Sequence, residues 1–440
     1  MKQVKEMTKR MKQSVTLKLV LIGILMLLLL IPAGMIKSLI LEREQTSKQV
    51  TGEISDLWGN KQTITGPYLT VPYKKYIQTK DGVKTDINYL HILPGKLKIS
   101  GVISPEIRYR GIYKVVVYNS KLHFSGTFLP QEDSTGRIDS KNIIWKEATV
   151  NLGIPDMRGI QENLKLQLDS AFYSMNPGIA TRDLVKTGIS TPLVIEPGKE
   201  ADFNLELNLN GSNELAFIPL GKETIVNLHS NWENPSFKGA FLPRERKIDN
   251  EGFTAEWKIL HLNRSYPQQW SNNAYNINSS SFGVSLLLPV DHYQKAYRSA
   301  KYALMFIALT FLTFFFIEVL NQKQIHPIQY LLVGLALVIF FSLLVALSEQ
   351  MPFVYAYLIA AAANIALISV FAAGIFKNTR LTMILTIILV VLYIFLYTVL
   401  QLMDYALLMG NLGLFAALAI VMFISRKVNW YDRELKHSEV

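Results

Sequence analysis

Apolar residues gather into six long runs, at residues 19–36, 302–320, 328–347, 353–376, 381–403 and 405–424. Each is about long enough for a helix to cross a hydrocarbon core, which takes roughly 20 residues. Within "IHPIQYLLVGLALVIFFSLLVALSEQ", nineteen residues from Ile328 to Ala346 carry no charge. Only short polar loops separate the last five runs, so neighbouring spans run antiparallel. The pattern predicts a six-helix transmembrane bundle, one N-terminal helix plus five C-terminal ones.

The long polar stretch between the first and second runs alternates instead. In "DFNLELNLNG", Phe203, Leu205, Leu207 and Leu209 alternate with polar residues, the period-2 signature of a strand with one buried face. "YKVVVYNSKLHFSGTF", "GFTAEWKILHL" and "SFGVSLLLP" behave similarly, with turn residues between them at short intervals. These stretches predict a large β-rich domain of sandwich-like character. The fold class expected is therefore an α+β membrane protein.

An echo within this segment suggests tandem duplication of one β module, with two similar strand-to-turn corners in one large sheet as the alternative. "FSGTFLP" at 124–130 returns as "FKGAFLP" at 237–243, and Trp145-Lys146 and Trp257-Lys258 follow the two copies at similar distances. Gly126 and Gly239 then mark a bend or a close backbone approach. The expected division is a basic N-terminus at 1–18, a first module at 37–180, a second at 181–301, the remaining helices at 302–424 and a tail at 425–440.

Charge sets the orientation. The net charge of +11 could suggest a nucleic-acid partner, but its distribution says otherwise. The N-terminus, the loops "NQKQIHP" and "KNTR", and the tail together hold thirteen Lys and Arg against four Asp and Glu. The alternate loops "SEQMP" and "QLMD" hold none of the basic residues, only Glu349 and Asp404. Basic residues favour the cytoplasmic side. Both termini are thus expected inside and residues of about 37–301 outside, with the phospholipid bilayer as first partner and no nucleic acid. The basic leader precedes an apolar run with no convincing small-x-small cleavage site, so the first helix reads as an uncleaved anchor.

Little catalytic chemistry is visible. The chain has no cysteine, which removes disulfides, thiolate metal sites and thiol nucleophiles. Its seven histidines lie at least 31 residues apart, too far for a local zinc pair. No catalytic residue, cofactor or metal is predicted. Asp156 and Arg158 in "PDMRG" read as a turn. The ionisable groups near the membrane are the better candidates, since charge there is costly. The plainest reading of them is as solvated interface residues, with a proton or ion path as the alternative. Glu318 falls near the start of the next span, whose His326-Pro327 suits a helix beginning and whose dipole favours an anion. Glu349 ends that span and needs a cation or water, and Arg298 or Lys301 of "KAYRSAKY" is the expected ion-pair partner. Ala356, Ala360 and Asn364, four apart, read as a packing stripe.

Residues 298–349, "RSAKYALMFIALTFLTFFFIEVLNQKQIHPIQYLLVGLALVIFFSLLVALSE", and outside the bundle "TGPYLTVPY", "MRGI" and "SNWENPSFKGAFLP", carry a resemblance that covers almost the whole chain. The family it resembles is the CreD inner-membrane proteins, also called the colicin-tolerance or cell-envelope-integrity family. The tail "RKVNWY" departs from it at Asn429, where an acidic residue is expected. What the resemblance implies is a multi-pass inner-membrane protein with a large periplasmic domain, tied to envelope integrity and under two-component control, with no assigned catalytic residue. The expectation is a non-enzymatic protein whose outer domain binds a periplasmic protein, glycan or lipid. A transporter or lipid-handling role for the bundle is the alternative, and an envelope-modifying enzyme with an unrecognised outer site is the second.

Overall fold

The computed structural model describes residues 15–80, 82–130, 138–286, 288, 292–402 and 405–426. The chain forms two compact units: Met1–Ser47 with Val290–Val440, and Lys48–Pro289. The expected cytoplasmic tail, including Asn429, and most of the basic N-terminus lie outside the described residues.

Six described helices are long and apolar enough to span a membrane, in agreement with the hydropathy pattern. Helix α1 is Val15–Trp58, α2 is His292–Lys301 and α3 is Ala303–Leu320. They are followed by α4 at Pro327–Ser348, α5 at Phe353–Phe376, α6 at Thr379–Gln401 and α7 at Ala406–Ser425. The short amphipathic α2 buries Tyr293, Ala296 and Ala300 on one side and ends at a turn before α3. Aromatic side chains fill the bundle: Phe306, Phe311, Phe314, Tyr330 and Phe340 are all buried. The stripe Ala356, Ala360 and Asn364 is buried as the spacing predicted.

Helix α1 departs from expectation. It does not stop near residue 36 but continues for 44 residues to Trp58, about 66 Å at 1.5 Å per residue. Residues 37–58 were expected to open the β segment and are helical instead. Their sequence, "SLILEREQTSKQVTGEISDLW" after Lys37, has no broad apolar face to announce a helix. The last turns of α1 belong to the second unit, where side chains hold them. Glu53 pairs with Arg110 at 2.6 Å, the Arg108 guanidinium lies 4.6 Å from the Trp58 ring, and Trp58 Nε1 donates to Tyr118 O.

The second unit is built from a nine-stranded and an eight-stranded sheet that share one apolar core. Strand β1 (Gln62–Thr79) pairs antiparallel with β2 (Gly82–Ile92) and with β5 (Ala148–Gly153), and parallel with Glu214–Phe217. In the other sheet β3 (Lys96–Arg110) pairs antiparallel with β4 (Tyr113–Phe128) and parallel with Glu223–Ser230. Ala201–Ser212 joins the far edge of β4. As the alternation required, Phe203, Leu205, Leu207 and Leu209 face inward, while Asp202 and Glu206 are exposed.

Strands from both sides of residue 180 interleave in both sheets. The β-rich segment is therefore one compact unit, not two modules in series at 37–180 and 181–301. The echoed segments also sit in different places: the first ends β4 in the eight-stranded sheet, and the second forms Pro235–Gly239 in the nine-stranded sheet. What they share is close backbone approach. A Cβ on Gly126 would collide with the carbonyl of Lys96, and one on Gly239 (φ +100°) with that of Ser281. The matched tryptophans differ too. Trp257 is fully buried, whereas Trp145 opens a 3-10 turn and is only partly covered.

Candidate functional site

Glu318 is a buried carboxylate on the last turn of α3, only 2% exposed. Both of its oxygens are occupied by donors of the chain itself. Lys18 Nζ lies 2.5 Å from Oε1, the Ile325 backbone N–H donates to Oε1 at 3.2 Å, and the Tyr330 hydroxyl donates to Oε2 at 2.9 Å. The sequence placed Glu318 by the start of α4 but offered no sign of Lys18, which reaches it from the first turns of α1. Burying a carboxylate is tolerable only with such pairing and hydrogen bonding. Glu318 is thus a clamp joining α1, α3 and α4, not a solvated interface residue.

The His-Pro pair at the start of α4 caps the helix. His326 Nδ1 accepts from the Ile328 N–H at 3.3 Å, Gln329 Oε1 accepts from the His326 N–H at 2.9 Å, and Pro327 takes the first helical position. This reciprocal arrangement satisfies donors that the helix leaves free, and Pro costs nothing at a position whose N–H is not needed.

The sequence over 92% of its length is 31% identical to the inner membrane protein CreD of Escherichia coli (strain K12), covering 91% of that protein. Residues 14–431 match the family described as Inner membrane protein CreD. The chain belongs to the CreD family. The resemblance over almost the whole chain is thus shown, and the protein is a multi-pass inner-membrane protein.

In this CreD family member the expected partner of Glu349 is corrected. Glu349 accepts a hydrogen bond from the Tyr293 hydroxyl at 3.0 Å, and the ion pairs of the described residues do not join it to Arg298 or Lys301. The reason is helical phase: α2 turns Tyr293, Ala296 and Ala300 inward, which carries the basic residues to other sides. Lys301 instead lies over the Tyr297 ring. Asn364 donates from Nδ2 to Ala336 O at 2.5 Å, tying α5 to α4.

Asp156 and Arg158 form the expected turn, and more. Asp156 caps a 3-10 turn at Met157–Gly159 and accepts a two-pronged bond from Arg158, at 2.9 Å from Nε and 2.8 Å from Nη2. The Asn60 backbone N–H donates to the same carboxylate at 2.9 Å, just past the end of α1. Gln62, wholly buried, donates to the Asp156 and Asn210 carbonyls. The turn thereby links the end of α1 to the sheets. The Arg158 guanidinium holds the Asp156 carboxyl below its ordinary 3.8, at about 2, against the opposing effect of burial. A carboxyl with a lowered folded pKa stabilises the fold fully above its unfolded value and loses that effect as pH falls through its folded value. Asp156→Asn should therefore flatten the acid limb of β-unit unfolding between about pH 4 and 2. Tryptophan fluorescence of the purified chain, followed against temperature at each pH, reads this.

Among the described residues no group of three or more His, Cys, Asp or Glu is placed to hold a metal. Sequence reasoning missed one polar cluster altogether. Thr70, His91 and Asn151 are buried together in the nine-stranded sheet, with Asp183 against them. Each comes from a separate segment, and no local spacing could have joined them.

Proposed function

We propose that this protein supports envelope integrity without enzymatic chemistry. In this reading both termini are cytoplasmic and the β unit, with the last turns of α1, is periplasmic. The bundle holds the protein in the membrane and the β unit binds an envelope partner, a protein, glycan or lipid. The orientation rests on the basic residues of alternate loops.

The observation that carries the binding reading is an open face on the eight-stranded sheet. Two grooves of about 700 Å³ each lie on its outward side. One is lined by Ser100, His123, Asn227 and Glu256, the other by Lys98, Thr127 and Asn204. Concave surfaces carrying a few convergent polar groups are where ligands bind. Glu318, by contrast, has its oxygens taken by the chain's own donors, as suits an anchor.

A conduit role for the bundle is the second reading. It is favoured by buried polar atoms on the spans that have no partner among the described residues, such as Asn364 Oδ1, Thr310 Oγ1 and Tyr393 Oη. Complementation of a strain lacking the chain separates the two readings, with detergent sensitivity as readout and membrane abundance checked in the same cells. Combined His123→Ala, Asn204→Ala and Asn227→Ala should abolish protection at normal abundance, while Asn364→Leu retains it. The reverse pattern would put the conduit first.

A further inference from the structure

Residues 178–187 cross the outward side of the nine-stranded sheet as an irregular strap between Asn176–Pro177 and Gly188–Leu193. Its two ends are pinned by backbone: the Gly178 N–H donates to Gly188 O at 2.9 Å, and the Ile154 N–H to Thr187 O at 3.2 Å. Between those ends the polar attachments are side-chain ones. Asn151 Oδ1 accepts from the Ala180 N–H at 3.2 Å, and Asp183 Oδ2 lies 3.1 Å from His91 Nε2. Leu184, 6% exposed, and the half-buried Val185 beside Gly153 add apolar contacts.

The hydrogen bonds are ordered from two ends, a backbone N–H and an acceptor-only carboxylate. Ala180 N–H is a backbone donor, so the Asn151 atom that meets it is the carbonyl oxygen. The Asn151 amide nitrogen then faces Thr70 Oγ1 at 3.1 Å and donates to it. At the other end the Asp183 carboxylate is acceptor-only, so the neutral His91 ring carries its proton on Nε2 and gives it to Asp183. Its Nδ1 is then an acceptor, and the Thr70 hydroxyl, 3.1 Å away, donates to it. A buried polar chain is stable when every member is satisfied in this way. In register across the sheet, Trp270 stands beside His91 and Thr149 beside Thr70.

We propose that strap 178–187 is a lid over this face of the sheet, latched through Asp183 to neutral His91 and released by acid. A second proton on His91 would sit on Nδ1 and point at Thr70 Oγ1, leaving the Thr70 proton without its acceptor. It would also place a charge on a fully buried ring. Of the titratable groups around the ring, Tyr68 faces it from β1 and Asp183 from the strap; Thr70, Asn151 and Trp270 are neutral. Arg182 and Lys186 of the strap are exposed. Asp183 favours the charged ring, but burial outweighs it and lowers the His91 pKa from its ordinary 6.5. Closure is therefore at full strength above that value and weakens as pH falls below it. An open lid would uncover Tyr68, Thr70, His91, Asn151 and Trp270, an aromatic and hydrogen-bonding surface of the kind that ligands use.

Amide hydrogen exchange of the full-length protein in detergent, corrected for the pH dependence of intrinsic exchange, tests this. One linked proton permits the opening of 178–187 to rise by at most about tenfold per pH unit below about 6.5, and a rise approaching this is expected. In His91→Gln the opening should not change with pH, and Asp183→Asn should open the strap already at neutral pH. Strap protection that is constant down to about pH 5, or that falls equally in His91→Gln, would overturn the latch. If His91→Gln fails to fold, Asp183→Asn decides: unchanged strap exchange at neutral pH would also overturn it.

Discussion

Glu318→Leu should destabilise the membrane unit by about 3–5 kcal/mol, the scale seen when one partner of a buried ion pair is removed. The Lys18 ammonium is partly exposed at 29% and can turn toward water, so it carries the smaller share of the loss. The Tyr330 hydroxyl and the Ile325 N–H are buried with Glu318 and would be left without an acceptor. Each such orphan costs about 1–3 kcal/mol. Glu318→Gln retains a carbonyl acceptor and should lose about half as much. Heating in detergent followed by size-exclusion chromatography measures the folded fraction. A Glu318→Leu protein as heat-resistant as the parent would mean that the three donors find other partners, and the clamp would have to be abandoned.

Trp257→Ala should cost the β unit about 3–5 kcal/mol, as large-to-small changes of buried aromatics do. The indole is fully buried. Its ring centre lies 5.6 Å from that of Phe237 and 5.7 Å from that of Phe282, and Nε1 donates to Phe241 O at 3.2 Å. Truncation therefore leaves a cavity and an unpaired carbonyl together. Trp145→Ala should lose much less, because Trp145 is only partly covered at the edge of the core. Chemical denaturation of both variants makes the comparison. Equal losses would say that the echoed Trp-Lys pairs have equivalent roles despite their different strands.

The spans and the buried face of Phe203, Leu205, Leu207 and Leu209 were legible because their signals are local: hydropathy over one helix, alternation over one strand. The turn at Asp156 and Arg158 was legible for the same reason, since acid, base and glycine lie within five residues. The continuation of α1 to Trp58 was not. Its polar residues pack through single contacts such as Glu53 with Arg110, which leave no period in the sequence. Glu318 was legible as a candidate and its position by α4 was foreseen, but its cation was not. Nor could spacing order Thr70, His91, Asn151 and Asp183, which meet only because strands from distant segments pair. The misassigned partner of Glu349 shows a narrower failure. Residues three apart do share a helix side, but which side faces inward depends on the apolar Tyr293, Ala296 and Ala300.

The contact between Lys18 and Glu318 also carries a consequence for biogenesis, because the two residues are 300 positions apart. At about 5–20 residues per second, a ribosome needs roughly 15–60 s to make the intervening chain. For most of that interval α1 is already made while α3 and α4, which complete its clamp, do not yet exist. The nascent protein thus passes through a stage with an unassembled anchor and an entire β unit emerging behind it. Factors that shelter single unpaired helices during translation should matter most for this protein within that window.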